Sequence, residues 1–134
     1  MQVLIDADNL DTGRLRLLVA VLAEMPVAGI VAAGAAAALD AVDWPPDARL
    51  LPARGWQGAD LLLAGAYRPA ADPLLLATGD GDFVQLARRH PGPVLLVGGS
   101  ASRSRAFTGP RITVTDPAGD GGAQLRSWLA GPGR

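Results

Sequence analysis

Cysteine and lysine are both absent from this 134-residue chain, histidine occurs once, and aromatic residues make up only 4%. Without cysteine there is no disulfide scaffold, no zinc ribbon and no thiol chemistry. The single histidine, His90, excludes a multi-histidine metal site within the chain, and the lack of lysine excludes mechanisms that need a catalytic amine. Long apolar runs are missing too. Leu15–Ala23 and Val27–Leu39 are set apart by Glu24 and Pro26, and the second is broken by glycine, so neither matches the roughly 18–20 unbroken apolar residues of a membrane span. The start, Gln2-Val3-Leu4-Ile5-Asp6, has no basic segment ahead of an apolar one, which a secretory signal requires. The expectation is a cytoplasmic protein without membrane attachment.

What is present is an apolar chain, 49% hydrophobic, whose twelve arginines face twelve aspartates and one glutamate for a net charge of −1. That balance does not advertise a nucleic-acid partner, for which a plainly basic chain is usual, but placement matters more than the sum. The length suits one domain, 1–134, with a frayed tail over 130–134.

Short apolar runs alternate with segments of helical period. Strands are predicted at Val3–Ile5, Val27–Val31, Arg49–Leu51, Leu74–Ala77, Val94–Val97 and Ile112–Thr115. A first helix starts at Asp11 or Thr12 and carries Leu15, Leu18, Val19 and Leu22 on one face. Others are predicted over Gly34–Val42, Gly58–Tyr67, Asp82–Arg89 and Gln124–Leu129. Strands that are continuously apolar, alternating with helices, imply a parallel sheet covered on both faces. The fold class is therefore α/β, a three-layer α/β/α domain with a mostly parallel central sheet. Such sheets bind ligands beyond the carboxyl ends of the strands, where the strand order reverses.

Aspartates gather at those ends. The first strand runs into Asp6-Ala7-Asp8-Asn9, the fourth into Thr78-Gly79-Asp80-Gly81-Asp82, and the third leads through Arg54-Gly55-Trp56-Gln57-Gly58 to Asp60. Each alone has an ordinary explanation, because Asp and Asn cap helices and Asp-Gly makes turns. Capping accounts for one Asp per helix start, however, and here two starts each carry a pair. Carboxylates brought together repel unless a cation or a proton intervenes. All the available ligands are oxygens, which favours a hard ion, Mg²⁺ or Mn²⁺, over zinc.

These residues resemble a family. Val3-Leu4-Ile5-Asp6-Ala7-Asp8-Asn9 is similar to the opening strand of the NYN-domain ribonucleases, within the PIN-like nuclease superfamily: an apolar run, Asp, two residues, then Asn. Gly58-Ala59-Asp60 before Leu61-Leu62-Leu63 is similar to the family's second motif, usually a Lys-Gly-x-Asp helix start. Thr78-Gly79-Asp80-Gly81-Asp82-Phe83-Val84-Gln85-Leu86 resembles the third and most specific, Ser/Thr-Gly-Asp-x-Asp-Phe-x-x-Leu. The motifs fall in the family's order between Met1 and about Val97, and Ser104–Phe107 only loosely resembles a later segment. The resemblance implies a PIN-like fold and metal-dependent hydrolysis of RNA. It makes Asp6, Asp60, Asp80 and Asp82 the acidic catalytic and metal residues, with Asp6 and Asp60 anchoring the ion and Asp80 and Asp82 holding the attacking water. Asn9 would orient the first loop. Asp8 is no fixed family position, so its place among the metal residues rests on local geometry. Gln57 stands where a Lys is common, with Arg54 three residues earlier, a departure that touches the substrate contact normally made by that lysine and not the metal site.

With Asp6, Asp8, Asp60, Asp80 and Asp82 set aside, eight acidic residues remain against twelve basic, a body of charge +4 around an acidic pocket. Arg54, Arg88, Arg89, Arg103 and Arg105 are candidate phosphate contacts, since guanidinium groups fork onto phosphate. Thr78 is a further candidate substrate contact. Trp56 suits either stacking on an unpaired base or packing on its own helix. Trp44 and Trp128 read as packing, His90 as a helix-end residue without a catalytic role, and Asp116 as a turn starter or an outlying acid. The Ala-rich Gly34–Val42 surface could serve a homodimer.

Two other functions fit part of the pattern. A phosphatase of the haloacid-dehalogenase type also opens with an apolar strand and Asp-x-Asp, but it ordinarily holds the phosphoryl group with a lysine, as does a phospho-receiver domain. A catalytically silent PIN-like module binding RNA or protein is the other, and it has no need of repelling carboxylates.

Overall fold

The computed structural model describes residues 1–25, 27–55, 58–98 and 109–131. In chain order the elements are β1 (Gln2–Asp6), α1 (Thr12–Glu24), β2 (Ile30–Gly34), α2 (Ala36–Asp40), β3 (Arg49–Pro52), α3 (Gly58–Ala66) and β4 (Leu74–Ala77). A short 3-10 turn (Gly81–Phe83) then leads into α4 (Val84–Arg89), followed by β5 (Val94–Val97), β6 (Ile112–Thr115), α5 (Pro117–Asp120) and α6 (Ala123–Ala130). The six strands form one sheet in the order β3-β2-β1-β4-β5-β6, and every neighbouring pair is parallel. The sheet expected to be mostly parallel is thus wholly so among the described residues.

The central strands explain why. All residues of β1, β4 and β5 are buried, which requires a cover on each face. Val3, Ile5, Leu75, Ala77, Leu95 and Val97 point to one side and pack with Leu15, Leu18 and Leu22 of α1, Leu39 of α2, and Leu125 and Leu129 of α6. Leu4, Leu74, Leu76, Val94 and Leu96 point to the other and meet Ala59 and Leu63 of α3, Phe83, and Ala87 of α4. Three layers result. Trp44 and Trp128 pack on the first of these clusters as expected, Trp44 donating its indole N–H to the Leu39 carbonyl at 2.7 Å. Among the described residues no helix is long and apolar enough to cross a membrane.

Three local expectations are corrected. β2 lies three residues later than Val27–Val31, because Gly29 turns with φ +82° and pairing begins only at Ile30 opposite Val3. Its Ala32-Ala33-Gly34 end, assigned in part to a helix on intrinsic preference, is a buried strand between β1 and β3; tertiary pairing overrides propensity. Asp82 does not cap the helix that follows it: it lies within the 3-10 turn, which Asp80 caps by accepting the Asp82 amide at 2.9 Å, and α4 has no side-chain cap. Asp116 is neither a simple turn starter nor an outlying acid: it caps α5 through Ala118 N–H and takes a fork from Arg14 at 2.9 and 3.0 Å. That guanidinium holds the Asp116 carboxyl below its usual range.

His90 stands at the C-terminal end of α4 as expected, but its partners lie elsewhere in the chain. It is fully buried, with Nε2 2.6 Å from the Asp72 carbonyl and Nδ1 2.8 Å from the Tyr67 hydroxyl. A carbonyl only accepts, so the hydrogen bonding places the ring proton on Nε2 and makes Nδ1 the acceptor for Tyr67. The imidazole joins the end of α4 to the α3–β4 connection. Tyr67→Phe leaves a buried acceptor unpaired and is expected to cost about 1–2 kcal/mol, a fall of about 3–8 °C in thermal midpoint. An unchanged melting curve would contradict this linkage.

Candidate metal centre

β1 and β4 are neighbours, and between them the strand order reverses: β2 and β3 lie outward on one side, β5 and β6 on the other. The helical covers leave a crevice at that point beyond the strands' carboxyl ends. β1 delivers Asp6 there, the residues following β4 deliver Thr78 and Asp80, and the first turn of α3 delivers Asp60. Asp6, Asp60 and Asp80 each offer one carboxylate oxygen, and these three atoms lie within 4.8 Å of one another. They open into a cavity of about 410 Å³ lined by Asp6, Asp8, Asn9, Gly55, Ala59, Asp60, Asp80 and Asp82.

Asp6 is the fixed member. It is fully buried, and its carboxylate is aimed by three donors: the Asn9 side-chain amide and the Thr78 hydroxyl on Oδ2, at 2.5 and 3.2 Å, and the Asp8 backbone N–H on Oδ1 at 3.2 Å. Burial pushes the Asp6 carboxyl up, and these donors oppose it by favouring the charged form. Asp60 is pushed up to about 7, first by burial, then by sharing a proton with Asp80 and by the charges of Asp80, Asp6 and Asp82. The crowding relieves itself by holding a proton. A divalent cation would relieve it too, and an all-oxygen set suits a hard ion.

The structure sorts the remaining sequence candidates by position. Asp82 and Asp8 are exposed on the cavity wall, outside the group of three, and Asn9 is on the wall beside Asp6. Thr78 was expected at the substrate but is fully buried behind the carboxylates. Its hydroxyl donates to Asp6 and accepts the Asp80 N–H at 3.0 Å, so it ties two acidic segments together. Arg54 is exposed beside Gly55, which lines the cavity with φ +76°, a backbone region that favours glycine. Arg88 and Arg89 occupy the last turn of α4, at the far end of that helix from the turn that Asp80 caps. Trp56, Arg103 and Arg105, with Gln57 and Ser104–Phe107, lie outside the described residues. Sequence reasoning missed Gly34. A Cβ there would come 3.0 Å from both the Ala7 Cβ and Asp8 Oδ1, and a glycine closing a buried Ala-Ala strand was the available signal.

Comparison with protein-family models, with curated proteins and with solved structures found no significant match. The fold and the carboxylate geometry therefore carry the functional argument. They give a parallel α/β domain with three aspartates that could hold a divalent cation at its topological switch point.

Proposed function

We propose that this chain is a metal-dependent ribonuclease of the NYN type, with a PIN-like fold, that hydrolyses RNA phosphodiester bonds in the cavity above β1 and β4. The observation that carries the reading is the convergence of Asp6, Asp60 and Asp80. They come from three separate segments whose local motifs and order resemble those of that family. When bound, Mg²⁺ or Mn²⁺ supplies Lewis acidity to a phosphate oxygen and lowers the pKa of water.

The chain's own residues have distinct tasks in this reading. Asp6, immobilised by Asn9 and Thr78, and the paired Asp60 and Asp80 provide the anionic oxygens. Asp82, exposed on the cavity wall, would hold the attacking water together with Asp80. Arg54, exposed next to the cavity-lining Gly55, is a candidate for a substrate phosphate. The phosphatase alternative gains no support, since Asp8, its acid/base residue, has Oδ1 occupied by the Ala35 N–H at 2.8 Å, and lysine is absent.

The purified chain is expected to cleave single-stranded RNA with Mn²⁺ or Mg²⁺, to stop on addition of EDTA, and to leave p-nitrophenyl phosphate intact. Phosphatase turnover without RNA cleavage, or RNA binding without cleavage under either metal, would overturn the assignment.

A further inference from the structure

Asp8 was grouped with the metal residues from its sequence position, yet its side chain points to a different task. Its Oδ1 accepts the backbone N–H of Ala35 at 2.8 Å, across from the β1–α1 connection to the β2–α2 corner. Its own N–H donates to Asp6 Oδ1, and the next residue, Asn9, donates its side-chain amide to Asp6 Oδ2. Asp8 also lies outside the Asp6, Asp60 and Asp80 oxygens that approach one another. We propose that Asp8 is a positioning residue: its carboxylate pins the 7–9 loop to the Ala35 amide, and the pinned loop aims the Asp6 carboxylate. The proposal rests on reading Asp6, Asp60 and Asp80 as a metal centre.

Gly34 makes the contact possible. The peptide preceding Ala35 must pass so near the loop that a Cβ on Gly34 would sit 3.0 Å from Asp8 Oδ1 and from the Ala7 Cβ. That is tighter than side chains ordinarily approach. The backbone is already registered on both sides, with Ala7 N–H bonded to the Ala33 carbonyl at 2.9 Å and Asp6 opposite Ala33 in the β1–β2 pair. The sheet therefore fixes the loop up to Ala7, and the Asp8 side chain carries that order two residues further, to Asn9. The contact to the Ala35 amide does not require the charge of Asp8. It uses one acceptor oxygen, which an asparagine also has.

The test compares D8N and D8A in the full chain, with Mn²⁺ alone as probe by calorimetry and RNA cleavage as a second readout. Because D8N keeps the acceptor, its Mn²⁺ affinity and cleavage rate are expected within about threefold of the parent. D8A frees the loop, and its Mn²⁺ affinity is expected to fall about 10- to 100-fold, the usual range for loss of a partner that orients a ligand. G34A, which crowds the same contact, is expected to weaken Mn²⁺ binding, and G34A with D8A to lose less than the sum of the two single losses, the remainder being the crowding of the Ala7 Cβ that D8A leaves in place. This keeps the test open even if D8A folds poorly. Equal damage from D8N and D8A would make Asp8 a charge-bearing ligand and overturn the proposal, as would a D8A chain that binds like the parent or strictly additive losses in the double variant. D80N serves as the separate control: if it binds Mn²⁺ as tightly as the parent, the metal-centre reading itself fails, whatever Asp8 does.

Discussion

Asp80→Asn is expected to reduce Mn²⁺-dependent RNA cleavage on the order of 10³-fold or more, equivalent to about 4 kcal/mol of barrier, while the fold persists. The substitution is nearly isosteric. The asparagine Oδ1 still accepts the Asp82 N–H that shapes the turn into α4, and the Asp80 backbone N–H still reaches Thr78. What disappears is one of the three converging anionic oxygens. Removing a like charge from a crowded group also relieves repulsion, so the thermal midpoint of the metal-free variant should equal or exceed that of the parent. Circular dichroism and a fluorescent RNA substrate measure the two halves. Mn²⁺-dependent cleavage near the parent rate in D80N would sink the assignment of this cavity.

The second large effect is on pH. With the Asp60 carboxyl pushed up to about 7, a metal ion must displace a proton at neutral pH and below. Apparent Mn²⁺ affinity is therefore expected to fall as the medium becomes more acidic. Between pH 7.5 and 5.5 the loss should be about 20- to 30-fold, from competition by one proton at that pKa. Titrations in buffers of different ionisation enthalpy should show a proton released on binding near pH 7. The metal-free protein should respond with the opposite sign. Asp60 binds its proton more tightly folded than at the unfolded value of 3.8, so its stabilising contribution is complete below about 4 and is lost as pH rises through about 7. Burial of Asp6 acts in the same direction. Asp60→Asn is expected to flatten this slope and to raise the metal-free melting temperature at pH 8 by about 3–8 °C, for repulsion of roughly 1–2 kcal/mol. It should also abolish the thermal gain from Mn²⁺. Affinity that stays flat between pH 5.5 and 7.5 would exclude Asp60 from the ion's environment.

What the sequence made legible follows from the kind of signal each residue carries. β4 and β5 matched expectation residue for residue, because Leu74–Ala77 and Val94–Val97 are unbroken apolar runs bounded by proline and glycine or threonine. β2 did not, since alanine and glycine fit a helix or a tightly sandwiched strand, and only the pairing with β1 and β3 decides. The convergence of Asp6, Asp60 and Asp80 was readable because all three follow strand ends or open a helix on one edge of a parallel sheet. Distances were not readable: nothing in the pattern Asp-Ala-Asp-Asn says that the first Asp is buried while the second reaches for the Ala35 amide. His90 and Asp116 escaped for a related reason. Their partners, Tyr67 and Asp72 in one case and Arg14 in the other, are distant in the chain, and a local reading assigns such residues to the nearest helix end.

The three carboxylates stand at positions 6, 60 and 80, so the centre has no existence in any short stretch of the polypeptide. An unfolded chain scatters these groups over tens of ångströms, where they hold no cation with useful affinity. β1 precedes the other strands of this sheet, but its neighbour on the far side of the crevice is β4, which arrives some seventy residues later. A chain growing on the ribosome therefore carries Asp6 long before it has a cleft. Assembly of the sheet's middle is the step that forms the cavity, and a divalent cation held there would from then on tie its own supply to the survival of the fold by mass action.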